Sequence, residues 1–177
     1  KMVKNKKILI IGGAGFIGHN LALKLKSLKA NVMIVDGLTI NNLGSLKKNT
    51  NKLPHPKLSM KIIKERIRLI KKHKIPLKKV DARNYHKLSK VFNGFKPSVV
   101  VHLAAVSHAN RSNKDPHSTF DHSLRTLENS LDNSRGLVDH FIFLSSSMVY
   151  GNFKKNIVNE NDRCEPLGIY AALKYSA

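Results

Sequence analysis

The stretch Lys7-Ile8-Leu9-Ile10-Ile11-Gly12-Gly13-Ala14-Gly15-Phe16-Ile17-Gly18 changes character at residue 12. Four aliphatic residues in unbroken succession run straight into glycines, which predicts a short buried parallel strand ending in a tight turn. Helical spacing follows, with Ile17, Leu21, Leu25 and Leu28 expected on one face. Val32–Val35 is a second apolar run, and it ends at Asp36.

The turn reads G-x-G-x-x-G from Gly13 and G-x-x-G-x-x-G from Gly12, so its spacing alone selects no subfamily. Glycines suit a backbone that must turn sharply and approach a phosphate with no Cβ in the way. The helix that follows then aims its free N–H groups and its dipole at the anion. Between a strand and a helix, with an acidic residue after the next strand, this is the dinucleotide-binding pattern. The expected contacts are Gly12, Gly15, Phe16, Ile17 and Gly18. Asp36, 18 residues beyond Gly18, is placed to accept hydrogen bonds from the adenosine ribose. Its charge would repel a 2′-phosphate, so NAD is expected rather than NADP. Asp81 closes the third strand, where it could cap a helix or face the adenine; its position leaves both open.

Strand and helix alternate along the rest of the chain. Gly37 to Pro56 reads as loop, and about Leu58 to His73 as an amphipathic helix burying Ile62, Ile63, Ile67 and Ile70. Pro76–Val80 is a weak strand, Tyr85–Phe92 a short helix and Ser98–Leu103 a Val-rich strand. A helix from roughly Pro116 to Ser134 precedes a strand at His140–Ser145, and a last helix starts near Gly168. The expected fold is α/β, a doubly wound parallel sheet forming one domain over residues 1–177.

Composition excludes some functions. With 32 Lys+Arg against 11 Asp+Glu the net charge is +21, which attracts polyanions. The basic residues are scattered, however, and the densest cluster, Lys57 to Lys79, holds no aromatic residue for base stacking. A lysine-rich solvated surface is the plainer reading, and nucleic acid is not the expected partner. No apolar run approaches the ~20 residues of a membrane span. The single cysteine, Cys164, fits a reducing compartment, and a cytoplasmic location is expected.

Beyond the glycine turn, four further segments carry a family pattern. They are Asp81-Ala82-Arg83, Val101-His102-Leu103-Ala104-Ala105, Ser145-Ser146-Ser147-Met148-Val149-Tyr150-Gly151 and Tyr170-Ala171-Ala172-Leu173-Lys174. In this order the set resembles the extended short-chain dehydrogenase/reductase family, the NAD-dependent nucleotide-sugar epimerases and dehydratases. The resemblance implies cofactor contacts at Ala82, Leu103, Ala104 and Ala105, and at Tyr170 and Lys174. It implies a Tyr170 phenol acting as base on a sugar hydroxyl, with Lys174 one helical turn on placing a positive charge beside it. Ser146, four residues before Tyr150, is implied as the hydroxyl that holds the reacting oxygen. Each has a plainer alternative: a Tyr-x-x-x-Lys pair is common on helix surfaces, serines end strands, and His102 reads as a core histidine.

Ser147 and Met148 stand where the family's dehydratases carry Asp-Glu, and neither shuttles a proton at neutral pH. That favours an epimerase acting on a nucleotide sugar such as a UDP-sugar, with a reductase as the alternative. At the family's Asn before a Gly-Thr this chain has His122, and Arg125 replaces the Gly. Such relatives continue well beyond Lys174 with further strands and a substrate domain, and they pair as homodimers. The chain is therefore expected to be a truncated Rossmann unit. An isolated dinucleotide-binding module without catalysis is the competing reading, and a nucleic-acid-binding derivative the third.

Overall fold

In the computed structural model, which describes residues 3–39, 55–105 and 109–177, the first apolar run forms strand β1, Lys7–Ile11. The other strands are β2 (Asn31–Asp36), β3 (Leu77–Lys79), β4 (Val99–His102) and β5 (His140–Phe143). All pair in parallel, in the order β3-β2-β1-β4-β5. The chain builds outward from β1 to one side, then crosses back to build to the other. This is the Rossmann order, with its switch point between β1 and β4.

Side-chain alternation along β1 divides the core in two. Ile8 and Ile10 join Val32, Ile34 and Val101 on one face, with Ala22 of helix α1 (Phe16–Ser27) and Ile70 of helix α2 (Pro56–Lys72). Leu9 and Ile11 join Val35 and Val100 on the other, with Leu88, Phe92 and Phe95 of helix α3 (Tyr85–Phe95). A strand covered on both faces must be apolar at every position, which explains the unbroken aliphatic run.

The remaining helices are α4 (Ala109–Lys114), α5 (Pro116–Phe120), α6 (Thr126–Ser134) and α7 (Gly168–Ser176). Of residues 109–111 only the backbone is described. No described helix is long and apolar enough to cross a membrane.

Several expectations need correction. Helix α1 does not bury Ile17 or Leu28, which are 55% and 46% exposed. It packs through Gly18 and Ala22, because close approach to the sheet favours small residues there. Ile62 is likewise exposed; α2 is anchored by Ile63 and Ile70, with Ile67 half-buried. The basic side chains of α2 at Lys57, Lys61, Lys64, Arg68, Lys71 and Lys72 face solvent. Helix α3 runs on to Phe95, which fills the core, and Lys96 ends it in the left-handed conformation at φ 51°. The helix expected over Pro116 to Ser134 is broken by a π-turn, Asp121–Arg125. There Asp121 is drawn to Arg83, and the Thr126 hydroxyl donates to the His122 carbonyl at 2.8 Å. Such insertions occur where side chains compete with the helical ladder. Of the loop expected from Gly37 to Pro56, residues 40–54 lie outside the described residues.

His102, at the end of β4, is a core histidine as its position suggests. Only 1% of it is exposed, and its ring lies about 6 Å from those of Phe141 and Phe143. Neither ring nitrogen has a hydrogen-bond partner among the described residues. Burial, helped by the charge of Lys174, depresses its pKa to about 4. Between the ordinary value of 6.5 and about 4, an unfolded chain would take up a proton that the folded chain refuses. Stability contributed by this site is therefore intact above pH 6.5 and is lost as pH falls through that window. Urea titrations across the window should show a steeper loss for the natural chain than for His102→Leu. Equal slopes would mean that the imidazole protonates freely in place.

Candidate active site

The carboxyl ends of the strands open into one cleft of about 790 Å³ at the switch point. Its floor begins with the glycine turn. Gly12 has φ +79°, and a Cβ there would meet the Ala104 amide nitrogen at 2.7 Å. A Cβ on Gly18 would meet the Gly13 Cα at 2.5 Å. Gly13, by contrast, is closed off by Ile34, at 2.8 Å from a notional Cβ, so it serves packing rather than contact with a ligand. Gly12, Gly15, Phe16, Ile17 and Gly18 all line the cleft.

Helix α1 begins there with no side-chain cap and no acidic residue in its first turn. Its leading amides thus face the cleft uncompensated, as an anion requires. Asp36 is fixed from two sides. The Ala14 amide donates to its Oδ2 at 2.9 Å and the Leu38 amide to its Oδ1 at 2.7 Å. Burial nevertheless raises its pKa above the ordinary carboxylate value, against those two donors. A turn open to phosphate and an anchored acceptor beside it suit the pyrophosphate and ribose of a dinucleotide.

Asp81, Ala82, Leu103, Ala104 and Ala105 line the same cleft. Asp81 does not cap a helix. That role falls to Asn84, whose side chain accepts from the Lys87 amide at 3.0 Å. The Asp81 carboxylate is gripped by Arg83 at 2.6 Å, and Arg83 also reaches Asp121 at 2.6 Å. The Arg83 hydrogen bond holds the Asp81 pKa below the ordinary range.

Tyr170 and Lys174, both on α7, complete the wall. The Lys174 ammonium donates to the Leu144 carbonyl at 2.6 Å and lies 4.5 Å from the Phe143 ring centroid. Burial lowers its pKa. Ser146 is placed differently. It is half-buried outside the lining, and its hydroxyl accepts from the Met148 amide at 3.3 Å, starting the short 3-10 turn Ser147–Tyr150. Its neighbour Ser145 does line the cleft, and its hydroxyl donates to the Lys174 carbonyl at 3.4 Å.

Sequence reasoning did not single out Arg66, Thr39, Thr126 or Ser145, and left His122 only as a departure; all five line the cleft. Arg66 looked like one more basic residue on a polar helix face. His122 is carried in by the π-turn, its Nδ1 2.8 Å from the Ser118 carbonyl. Among the described residues no cluster of His, Cys, Asp or Glu could hold a metal ion.

The model of the NAD-dependent epimerase/dehydratase family matches residues 8–177. The protein CapI of Staphylococcus aureus is 36% identical over 172 residues, covering 96% of this chain and 47% of that protein. A UDP-glucose 4-epimerase of Lacticaseibacillus casei is 28% identical, over 94% of this chain and 43% of its own. In fold, the crystal structure of a UDP-glucose-4-epimerase from Stenotrophomonas maltophila, with bound NAD and formylated UDP-arabinopyranose, superposes with a TM-score of 0.77 at 22% identity. It covers 97% of this chain and 46% of that one. The chain thus spans less than half the length of each of these proteins. Over the part they share, it belongs to the NAD-dependent epimerase/dehydratase family.

Proposed function

We propose that this chain is the cofactor-holding part of a nucleotide-sugar epimerase that inverts one sugar carbon by oxidising and re-reducing it. The observation that carries the reading is the single cleft in which the glycine turn, Asp36, Tyr170 and Lys174 meet. Gly12, Gly15 and the first turn of α1 would hold the pyrophosphate, and Asp36 the adenosine ribose. NAD supplies the hydride acceptor, and afterwards the donor, when it is bound there. As a phenolate, Tyr170 would take the proton of the sugar hydroxyl while the carbon is oxidised and, as the phenol so formed, would return it when the carbon is re-reduced. The Lys174 ammonium, anchored to the Leu144 carbonyl, stands one helical turn beyond Tyr170 on the same helix. With Ser147 and Met148 after Ser146 there is no acid–base pair to eliminate water, which favours epimerisation over dehydration.

The reading is tested by titrating the chain with NAD in a calorimeter. UDP-glucose is then incubated with NAD and either this chain or a longer form bearing a substrate-binding half like that of its relatives. Saturable NAD binding and formation of the 4-epimer by the longer form are expected; absence of both would overturn the reading. Asp36→Ala should bring the affinities for NAD and NADP closer by about tenfold, and an unchanged ratio would remove Asp36 from cofactor choice. In the active form, Tyr170→Phe should lower turnover by about a hundredfold or more while NAD affinity stays within a few-fold. On the family's pattern Ser146→Ala should lower turnover more than Ser145→Ala, although Ser145 is the one that lines the cleft. The reverse order would transfer the role to Ser145.

A further inference from the structure

Residues 57–79 hold ten Lys or Arg and a single acid, Glu65. Dispersed in sequence, most of these cations are brought into line by the helix. Lys57, Lys61, Lys64, Arg68 and Lys71, with Lys72 beside it, recur every three or four residues of α2 and so form one row along it. The row is about 22 Å long. All six side chains are exposed, on the side of α2 turned away from the buried Ile63 and Ile70.

The protein leaves this row largely uncompensated. Glu65 is committed to Arg68 through bonds of 2.6 and 2.7 Å. It attracts Lys61 and Lys72 only at longer range. No lysine of the row has an ion-pair partner among the described residues. A one-signed surface of this kind draws polyanions to itself.

The flank of the row indicates which polyanion. Leu58 and Ile62, one helical turn apart, stand between the row and the buried face, 55% and 42% exposed. Packing against the sheet does not use them, since Ile63 and Ile70 anchor the helix. Cations bordered by protruding aliphatic side chains match a bilayer surface, where phosphates lie outermost and acyl chains directly beneath. A nucleic acid would meet the cations but would leave the aliphatic pair against a polar backbone, and α2 has no aromatic residue to stack on a base. Lys57, Lys61 and Lys64 also border a shallow hollow of about 320 Å³ in which a phosphate headgroup can sit.

We propose that the outer face of α2 docks this chain on an anionic lipid surface. The lysines meet headgroup phosphates, and Leu58 and Ile62 enter the boundary between headgroups and acyl chains. None of these residues lines the cleft, so the docking face is separate from the cofactor site.

The test is co-sedimentation of the whole chain with vesicles of phosphatidylcholine alone, or mixed equally with phosphatidylglycerol, at low and high salt. One variant carries Lys57→Gln, Lys61→Gln and Lys64→Gln. A second, Lys87→Gln, Lys90→Gln and Lys114→Gln, removes the same charge from exposed positions on α3 and α4. Helix α3 covers the opposite face of the sheet. Thermal unfolding checks that each variant is folded. The natural chain should bind the anionic vesicles, not the neutral ones, and release them at high salt. The row variant should bind about tenfold more weakly or worse, and the α3–α4 variant should stay within about twofold of the natural chain. Leu58→Ser with Ile62→Ser should weaken vesicle binding several-fold and leave the affinity for a DNA duplex unchanged. Equal losses in the two lysine variants would reduce the effect to net charge. Tighter binding of the duplex than of the vesicles, with the same dependence on the row, would make this a nucleic-acid face. Either result, no binding to anionic vesicles, or no effect of the Leu58 and Ile62 changes overturns the proposal.

Discussion

The hydrogen bond from the Ala14 amide to the Asp36 carboxylate joins the two pieces of chain that make the site possible. The Gly12 amide adds a bond to the Val35 carbonyl at 2.8 Å, so the turn after β1 is tied to the end of β2 before any ligand arrives. That closeness constrains everything nearby. Helix α1 has to start almost in contact with the turn, which excludes a Cβ at Gly18. It must then lie flat on the sheet through Ala22, and β2 must end where Asp36 can reach back. The cleft exists because the backbone is bound to itself here, with its remaining amides turned outward.

The strands and their parallel pairing were legible because burial on both faces leaves a plain mark in sequence: uninterrupted aliphatic runs closed by glycine or a polar residue. The outer helices were less legible. Ile17, Leu28 and Ile62 follow helical periodicity yet stand exposed, since periodicity identifies an apolar stripe without saying which part of it meets the sheet. The π-turn could not be read at all. It depends on Asp121 meeting Arg83, 38 residues away, and no local pattern encodes a partner at that distance.

At the site, Gly12, Gly15, Gly18, Asp36, Ala104, Tyr170 and Lys174 were legible because each belongs to a spaced motif, and they line one cleft. Arg66 was hidden by its surroundings. On α2 it is one of several basic residues, and only the burial of Ile63 and Ile70 on either side distinguishes its direction from theirs. Ser145 and Ser146 show the opposite limit. Adjacent serines are equivalent in composition, and only the local backbone turns one toward the cleft and the other into capping Ser147–Tyr150.

The ion triad Asp81–Arg83–Asp121 also has mechanical meaning. Asp81 and Arg83 follow β3, in the half of the sheet built first, whereas Asp121 follows β4, in the half built after the chain crosses over. One guanidinium therefore acts as a tie-beam across the seam between the two half-sheets, alongside the pairing of β1 with β4. The members of the triad are a third or so exposed, but Arg83 grips Asp81 through several N–H bonds and reaches Asp121 as well. Its effect is to hold the two walls of the cleft together at the end away from the β1–β4 pairing, beside the Asn129 amide that donates to the Ala82 and Arg83 carbonyls at 2.9 Å.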